Sequence, residues 1–287
     1  MRSNDLRARL HGMWAGAAPS WQAHAAFVDA RGAHVSERML ALTGPRAGER
    51  VLELACGPGG PGLEASPLVG AAGEVVVSDF AEPMTAIAAA RVRELSLENV
   101  AVRVLDLEEI DEPDASFDVV LCREGLMLAT DPVRAAREIR RVLRPGGRVA
   151  LSVWGPRARN PWLGAMFDAA SEQFGAPVPP PGTPQPFSLE DRGGLVELLT
   201  DAGLDEVSVD ELATPYEADS AEQWWQRTAG LAGPLARRIA ELPAEDAAAL
   251  RARAIGNVAR YETPAGLVIP GVCLIASACR AEVLVEA

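Results

Sequence analysis

The chain has 287 residues, 48% of them apolar and 23% charged, which suits one large α/β unit carrying an insertion and leaves little room for disorder. A formal charge of −13 and an isoelectric point near 4.8 argue against nucleic acid or an anionic membrane surface as the main partner. All 27 basic residues are arginine, which excludes a Schiff-base lysine, a Walker lysine and pyridoxal-phosphate chemistry together.

The cysteines, Cys56, Cys122, Cys273 and Cys279, are scattered, with no CxxC pair and no histidine nearby. Neither a metal site nor a disulfide framework is expected, and the chain reads as cytoplasmic. Met1 to Leu10 is polar and unlike a signal peptide, and no run reaches the ~18 apolar residues of a membrane span.

Residues 1–45 lack strand-like runs, and Ala23, Phe27, Val28, Val35 and Met39 recur near helical spacing until Gly44 and Pro45. One or two helices, forming an N-terminal cap segment, are expected there. From Glu49 the texture changes. Val51–Ala55, Val75–Asp79, Val100–Asp106, Phe117–Cys122 and Val149–Trp154 read as buried strands, with helices near 61–70, 83–95 and 132–143 between them. The last helix has Asp131 to cap it, Pro132 in its first turn, and Ala136, Ile139 and Leu143 on one face. This alternation predicts a parallel sheet covered on both sides, so residues 46–155 read as a Rossmann-like core. Beyond Trp154 the pattern loosens into a proline-rich loop at 177–186 and a helix over Leu189–Ala202. A strand at Leu204–Leu212, helical stretches near 219–240 and 244–260, and a last strand at Gly271–Ala281 follow. Residues 156–287 thus hold acceptor-binding insertions and the last two strands.

The first strand runs into Gly57-Pro58-Gly59-Gly60-Pro61-Gly62, a literal but weak match to a dinucleotide-binding glycine turn. Asp79 ends the second strand 20 positions after Gly59, Asp106 ends the third, and Glu53 stands in the turn itself. An acid at the second position can take both ribose hydroxyls of a nucleoside. Three carboxylates at adjoining strand tips suit a nucleoside bearing a cation better than a pyrophosphate, which Glu53 would repel.

With these residues in place, the chain resembles the class I S-adenosylmethionine-dependent methyltransferases, near the ubiquinone/menaquinone-methyltransferase-like group. The motifs that carry the resemblance are VLELACGPGG (51–60), VVVSDF (75–80), VLDLEEI (104–110) with FDVVLCREGLM (117–127), and LRPGGRVALSVW (143–154). The resemblance implies a doubly wound seven-stranded sheet with an antiparallel last strand, a helical cap over its carboxyl edge, and S-adenosylmethionine as cofactor. It places Ala55, Gly57 and Gly59 under the methionine part of the cofactor and Glu53 at its ammonium. It gives Asp79 to the ribose, Phe80 and Met84 to the adenine, Asp106 to the adenine amino group and Leu107 to the ring's underside. Cys122 and Arg123 would border the methionine end. Two departures stand out: Ala55 replaces a common first glycine, and Glu124 stands where close relatives carry glutamine.

The series Arg134, Arg137, Arg141 and Arg144 reads as a solvated helix face. His24, Glu124 and His11 are the candidate bases for an acceptor proton, with His24 favoured by its helical register with Phe27 and Val28. Trp162, Phe167, Phe174, Phe187, Trp224 and Trp225 fit either core packing or an aromatic acceptor pocket. The expected function is methyl transfer to the oxygen, nitrogen or carbon of a small molecule, in secondary metabolism, without nucleic-acid or membrane partners. A cofactor-binding protein or cofactor-assisted cyclase, and a nicotinamide oxidoreductase, are the alternatives. The sequence leaves monomer and homodimer open.

Overall fold

The computed structural model describes residues 3–282; residues 1–2 and 283–287, the ends of the two outer segments, lie outside it. Two helices come first, α1 (Ser3–Ala23) and α2 (Ala25–Thr43), separated at His24. The core follows as β1 (Arg50–Glu53), α3 (Pro61–Val69), β2 (Glu74–Asp79), α4 (Glu82–Glu94), β3 (Val100–Val104), β4 (Phe117–Arg123), α5 (Pro132–Val142) and β5 (Leu143–Trp154). Then come α6 (Pro161–Phe174), α7 (Arg192–Asp201), β6 (Asp205–Ala213), β7 (Tyr216–Ala218), α8 (Ala221–Leu231), α9 (Pro234–Ala240) and α10 (Ala244–Val258). The short β8 (Glu262–Thr263) and β9 (Gly266–Ile269) lead into β10 (Val272–Cys279).

Seven strands form one sheet in the order β3-β2-β1-β4-β5-β10-β6. The first five run parallel, and β10 lies antiparallel between β5 and β6, with Ile275 opposite Ser152 and Asp210. Successive side chains along a strand face opposite layers. Leu52, Val120 and Leu151 therefore join a core with Ile139 of α5 and Leu199 of α7. Val51, Val119 and Ala150 join another with Met39 of α2 and Leu63 of α3. Both faces being covered, the inner strands are apolar through their middles, which is why they read as valine-rich runs.

Strand order reverses between β1 and β4, and their carboxyl ends diverge there to open a crevice. The tips that flank it, Glu53 on β1 and Arg123 on β4, are thus set by topology. Capping fixes several helix starts. Asp131 accepts the Arg134 N–H at 2.9 Å, and Asp191 accepts the Gly194 N–H at 2.6 Å. The second cap starts α7 at Arg192, three residues later than the apolar pattern suggests.

Three departures from expectation lie beyond β5. Helix α6 is buried nearly all round, through Trp162, Leu163, Met166, Phe167, Ala169 and Ala170, so it carries no apolar stripe to announce it. The expected helical stretch at 219–240 breaks at Gly233, which adopts φ +54° ahead of Pro234. A small sheet, β7-β9-β8, joins segments far apart in sequence and is too short to show alternation. The 177–186 segment is irregular, as its prolines require.

Candidate functional site

A cavity of about 960 Å³ opens above the crevice, near the top of the range for a small-molecule site. Glu53, Ala55, Gly57, Asp79, Phe80, Met84, Asp106, Leu107 and Arg123 line its floor and one end. The cavity continues past Glu124 to Arg31, Trp154, Trp162, Phe167, Tyr216 and the proline loop. Gly59 and Cys122 lie outside this lining. Cys122 is fully buried, with its sulfur 2.8 Å from where a Cβ on Gly125 would stand.

Glu53 is 1% exposed and accepts the Gly62 N–H at 2.9 Å. A Cβ on Gly60 or on Gly62 would come within 2.5 Å of its carboxylate oxygens. These glycines therefore make room for an acid as much as for a ligand. Burial pushes the Glu53 carboxyl up to about 7, against the pull of the Arg123 guanidinium and the Gly62 and Gly60 N–H groups. Arg91 of α4 pins the turn by donating to the carbonyls of Pro58 (2.9 Å) and Gly59 (3.2 Å), and also pairs with Asp29 of α2.

Asp79 is held by two backbone donors, Gly57 N–H to Oδ2 and Ala81 N–H to Oδ1, both at 2.9 Å. Each oxygen keeps a further lone pair. Burial raises its pKa against those same N–H groups. Asp106 accepts the Glu108 N–H at 2.8 Å and pairs with Arg7 of α1. Helix α1 thus reaches over this end of the cavity, with Trp21 3.7 Å from a Cβ placed on Gly57 and His11 edge-on to Phe80. Trp21 Nε1 is buried without a hydrogen-bond partner.

Ala55 and Glu124 adopt φ +51° and +58°, a left-handed backbone uncommon for residues with a Cβ. Both stand where the chain turns off a strand into the crevice, and such strain concentrates at functional sites. The Glu124 carboxyl is raised by burial, opposed by the charges of Arg31 and Arg123. It forms no ion pair and no hydrogen bond with a described residue. His11 lies in a shallow outer pocket with Arg7, Phe80, Val104 and Asp106. His24 does not line the cavity. It sits at the break between α1 and α2, which turns its ring onto Gly230 of α8, and burial and Arg227 lower its pKa.

Of the six aromatic residues, Trp162 and Phe167 reach the cavity, while Phe187, Trp224 and Trp225 are buried packing residues. Phe174 is covered by the Arg238 guanidinium at 3.8 Å. Sequence reasoning missed Arg31, Trp154 and Tyr216. Tyr216 lies on the three-residue β7, and nothing in the spacing of Arg31 sets it apart from other helical arginines. In the arginine series, Arg134, Arg141 and Arg144 pair with Glu109, Glu138 and Asp118, while Arg137 is exposed.

Fold and crevice together define a Rossmann-like architecture with a ligand-sized cavity at the carboxyl edge of its sheet. A family profile described as a methyltransferase domain matches residues 51–147. The chain is 37% identical over 134 residues to the ubiquinone/menaquinone biosynthesis C-methyltransferase UbiE of Azotobacter vinelandii, covering 46% of this chain and 53% of that protein. It is 36% identical over 154 residues to the nocamycin O-methyltransferase of Saccharothrix syringae, covering 51% and 55%. The chain therefore spans about half the length of the curated relatives it matches. Among solved structures, the YcgJ protein of Bacillus subtilis shares the fold with a TM-score of 0.59 at 20% identity, covering 86% of this chain and 98% of that one. The [4+2]-cyclase SpnF does so with a TM-score of 0.54 at 20% identity, covering 86% and 80%. Residues 51–147 carry a class I S-adenosylmethionine-dependent methyltransferase domain. Among the described residues no helix is long and apolar enough to cross a membrane.

The residues present fit S-adenosylmethionine. An acid that glycines make room for, a second acid with free lone pairs, and a buried indole N–H without a partner all face or flank one cleft.

Proposed function

We propose that the protein transfers the methyl group of S-adenosylmethionine to a small-molecule acceptor in secondary metabolism. The observation that carries this reading is the continuity of the cavity. One chamber joins the cleft between Glu53 and Asp106 to an aromatic end lined by Trp154, Trp162 and Tyr216. A cofactor and an acceptor can meet there beside Glu124. When bound, the cofactor supplies a methyl already activated by its sulfonium, so the protein's work is alignment and exclusion of water.

Glu53 would hold the ammonium and Arg123 the carboxylate of the methionine part. The lone pairs left on Asp79 would take the ribose hydroxyls, and Asp106 the adenine amino group once Arg7 yields it. Phe80, Met84 and Leu107 supply apolar walls for the ring. Of the candidate bases, Glu124 faces the chamber, and a carboxyl raised by burial suits proton removal from an acceptor O–H. Residues 1–45 and the segments beyond β5 would act as the cap that selects the acceptor. The acidic net charge, −13, supports a small molecule over nucleic acid.

The test is transfer of isotopically labelled methyl from S-adenosylmethionine into a panel of small acceptors, read by mass spectrometry. Formation of S-adenosylhomocysteine with a labelled product supports the reading. Tight cofactor binding with no transfer to any acceptor, and ring closure of a substrate instead, would favour a cyclase.

A further inference from the structure

The aromatic end of the cavity contains a cation that no described residue answers with a hydrogen bond or an ion pair. Arg31 projects from α2 into a box of three rings. Its guanidinium carbon lies 4.0 Å from the Trp162 ring centroid, 4.6 Å from Trp154 and 5.2 Å from Tyr216. The rings are braced against each other: Trp162 stacks on Tyr216 at 5.6 Å and meets Trp154 edge-on at 5.0 Å. Contact with ring faces satisfies the flat sides of a guanidinium and leaves its N–H groups, which radiate in its own plane.

Those N–H groups have no acceptor. No described residue takes a hydrogen bond from Arg31, and Nε and Nη2 are shut off from water as well. Arg31 lines the cavity, and with Nε and Nη2 closed off it is Nη1 whose N–H groups are left to meet an oxygen of an anion. Glu124 is the nearest carboxylate in charge, yet the two form no ion pair. Most other arginines resolved around the cavity wall are answered: Arg7 by Asp106, Arg123 by Ser36 at 2.8 Å, and Arg237 by Glu241 at 2.7 Å. A cation buried without a partner is costly, and it persists where a ligand completes it.

We infer that the acceptor is itself an acid: a small planar molecule whose ionised two-oxygen group, a carboxylate or the enolate of a 1,3-dicarbonyl, is received by Arg31 within the ring box. This rests on the methyl-transfer reading above and gives its acceptor a chemical class. The rings flank the conjugated body of such an anion and Arg31 fixes its orientation. Glu124 lines the same chamber, and its charge acts on Arg31.

The test uses the full chain saturated with S-adenosylhomocysteine and follows quenching of tryptophan fluorescence on titration. One pair of probes is 2-naphthoate and its neutral isostere 2-naphthamide; the other is 1,3-indanedione, which ionises to an enolate, and neutral 1-indanone. At least one acid should bind at least about tenfold more tightly than its neutral partner. Whichever pair shows the preference tells carboxylate from enolate. In Arg31→Met the preference should fall to within about twofold, with S-adenosylhomocysteine affinity unchanged, and Arg31→Lys should keep part of it. Should Arg31→Met fail to fold, the wild-type comparison and Arg31→Lys decide. Equal binding of acid and neutral probes, no binding of any, or a preference that survives in Arg31→Met would overturn the inference and leave Arg31 as packing for the rings. Failure of S-adenosylhomocysteine to bind would count against the methyl-transfer reading instead, so the two results stay separate.

Discussion

If Glu53 holds the ammonium of the cofactor, binding should release a proton. In the ligand-free protein its carboxyl titrates near 7 instead of 4.5 because burial outweighs its stabilising partners. At pH 6 only about one molecule in ten then carries the carboxylate, and at pH 8 about nine in ten do. An ammonium held at this site needs the charged form, so S-adenosylhomocysteine affinity should rise about 25-fold from pH 5.5 to 7.5, with uptake of the ligand releasing up to one proton. Stability should move the opposite way. The folded value lies above the unfolded one, so Glu53 stabilises the fold fully below pH 4.5 and loses that contribution as pH rises through 7. At 1.36 kcal/mol per pH unit the move from 4.5 to about 7 amounts to about 3 kcal/mol. Calorimetry in buffers of different ionisation enthalpy measures the proton release, and thermal melts across the same range measure the stability. Glu53→Gln should bind more weakly, with no pH slope and no released proton. An affinity that stays flat from pH 5.5 to 7.5 in the wild type, or a slope that persists in Glu53→Gln, would refute the placing of the ammonium at Glu53.

Further predictions concern the surrounding turns. Asp79→Asn keeps the shape but loses charge-assisted bonds, so S-adenosylhomocysteine affinity should fall by about 1.5–3 kcal/mol, measurable by calorimetry. Ala55→Gly removes a left-handed alanine and should raise stability by about 0.5–1 kcal/mol in chemical denaturation, the strain relieved outweighing the entropy that glycine adds to the unfolded chain. Arg91→Ala frees the carbonyls of Pro58 and Gly59, so hydrogen exchange across 57–62 should quicken and cofactor affinity drop, while the far strands keep their protection. Glu124→Gln should slow methyl transfer to an acceptor with an acidic O–H and leave S-adenosylhomocysteine affinity within about twofold; an unchanged rate and pH profile would show that no base acts there.

The parallel core was legible because burial on both faces leaves an unmistakable signature: Val75–Asp79 and Phe117–Cys122 read as short, valine-rich buried runs. The carboxylate-lined end of the cavity was legible for a related reason. Topology places Glu53, Asp79 and Asp106 at neighbouring strand tips, so their order in the chain is already their order in space. The aromatic end is different. Tyr216, Trp162 and Arg31 come from a three-residue strand, a helix buried all round and the second helix of the chain, and they meet only through tertiary packing. His24 shows the limit of helical register. Its spacing with Phe27 and Val28 holds along α2, but the residue stands at the helix start, where the break from α1 sets its direction.

The place of β10 has a consequence for how the chain is made. Strand β5 waits beside an open edge through the synthesis of residues 155–271, and β6 has no sheet neighbour other than β10. At typical elongation speeds that interval lasts roughly ten seconds, during which the apolar edge of Val149, Leu151 and Val153 is unpaired. Sheet closure therefore waits until residues 272–279 have been made. A nascent chain stalled before residue 272 exposes a sticky strand that a chaperone must cover, and a truncation there forfeits two strands instead of one.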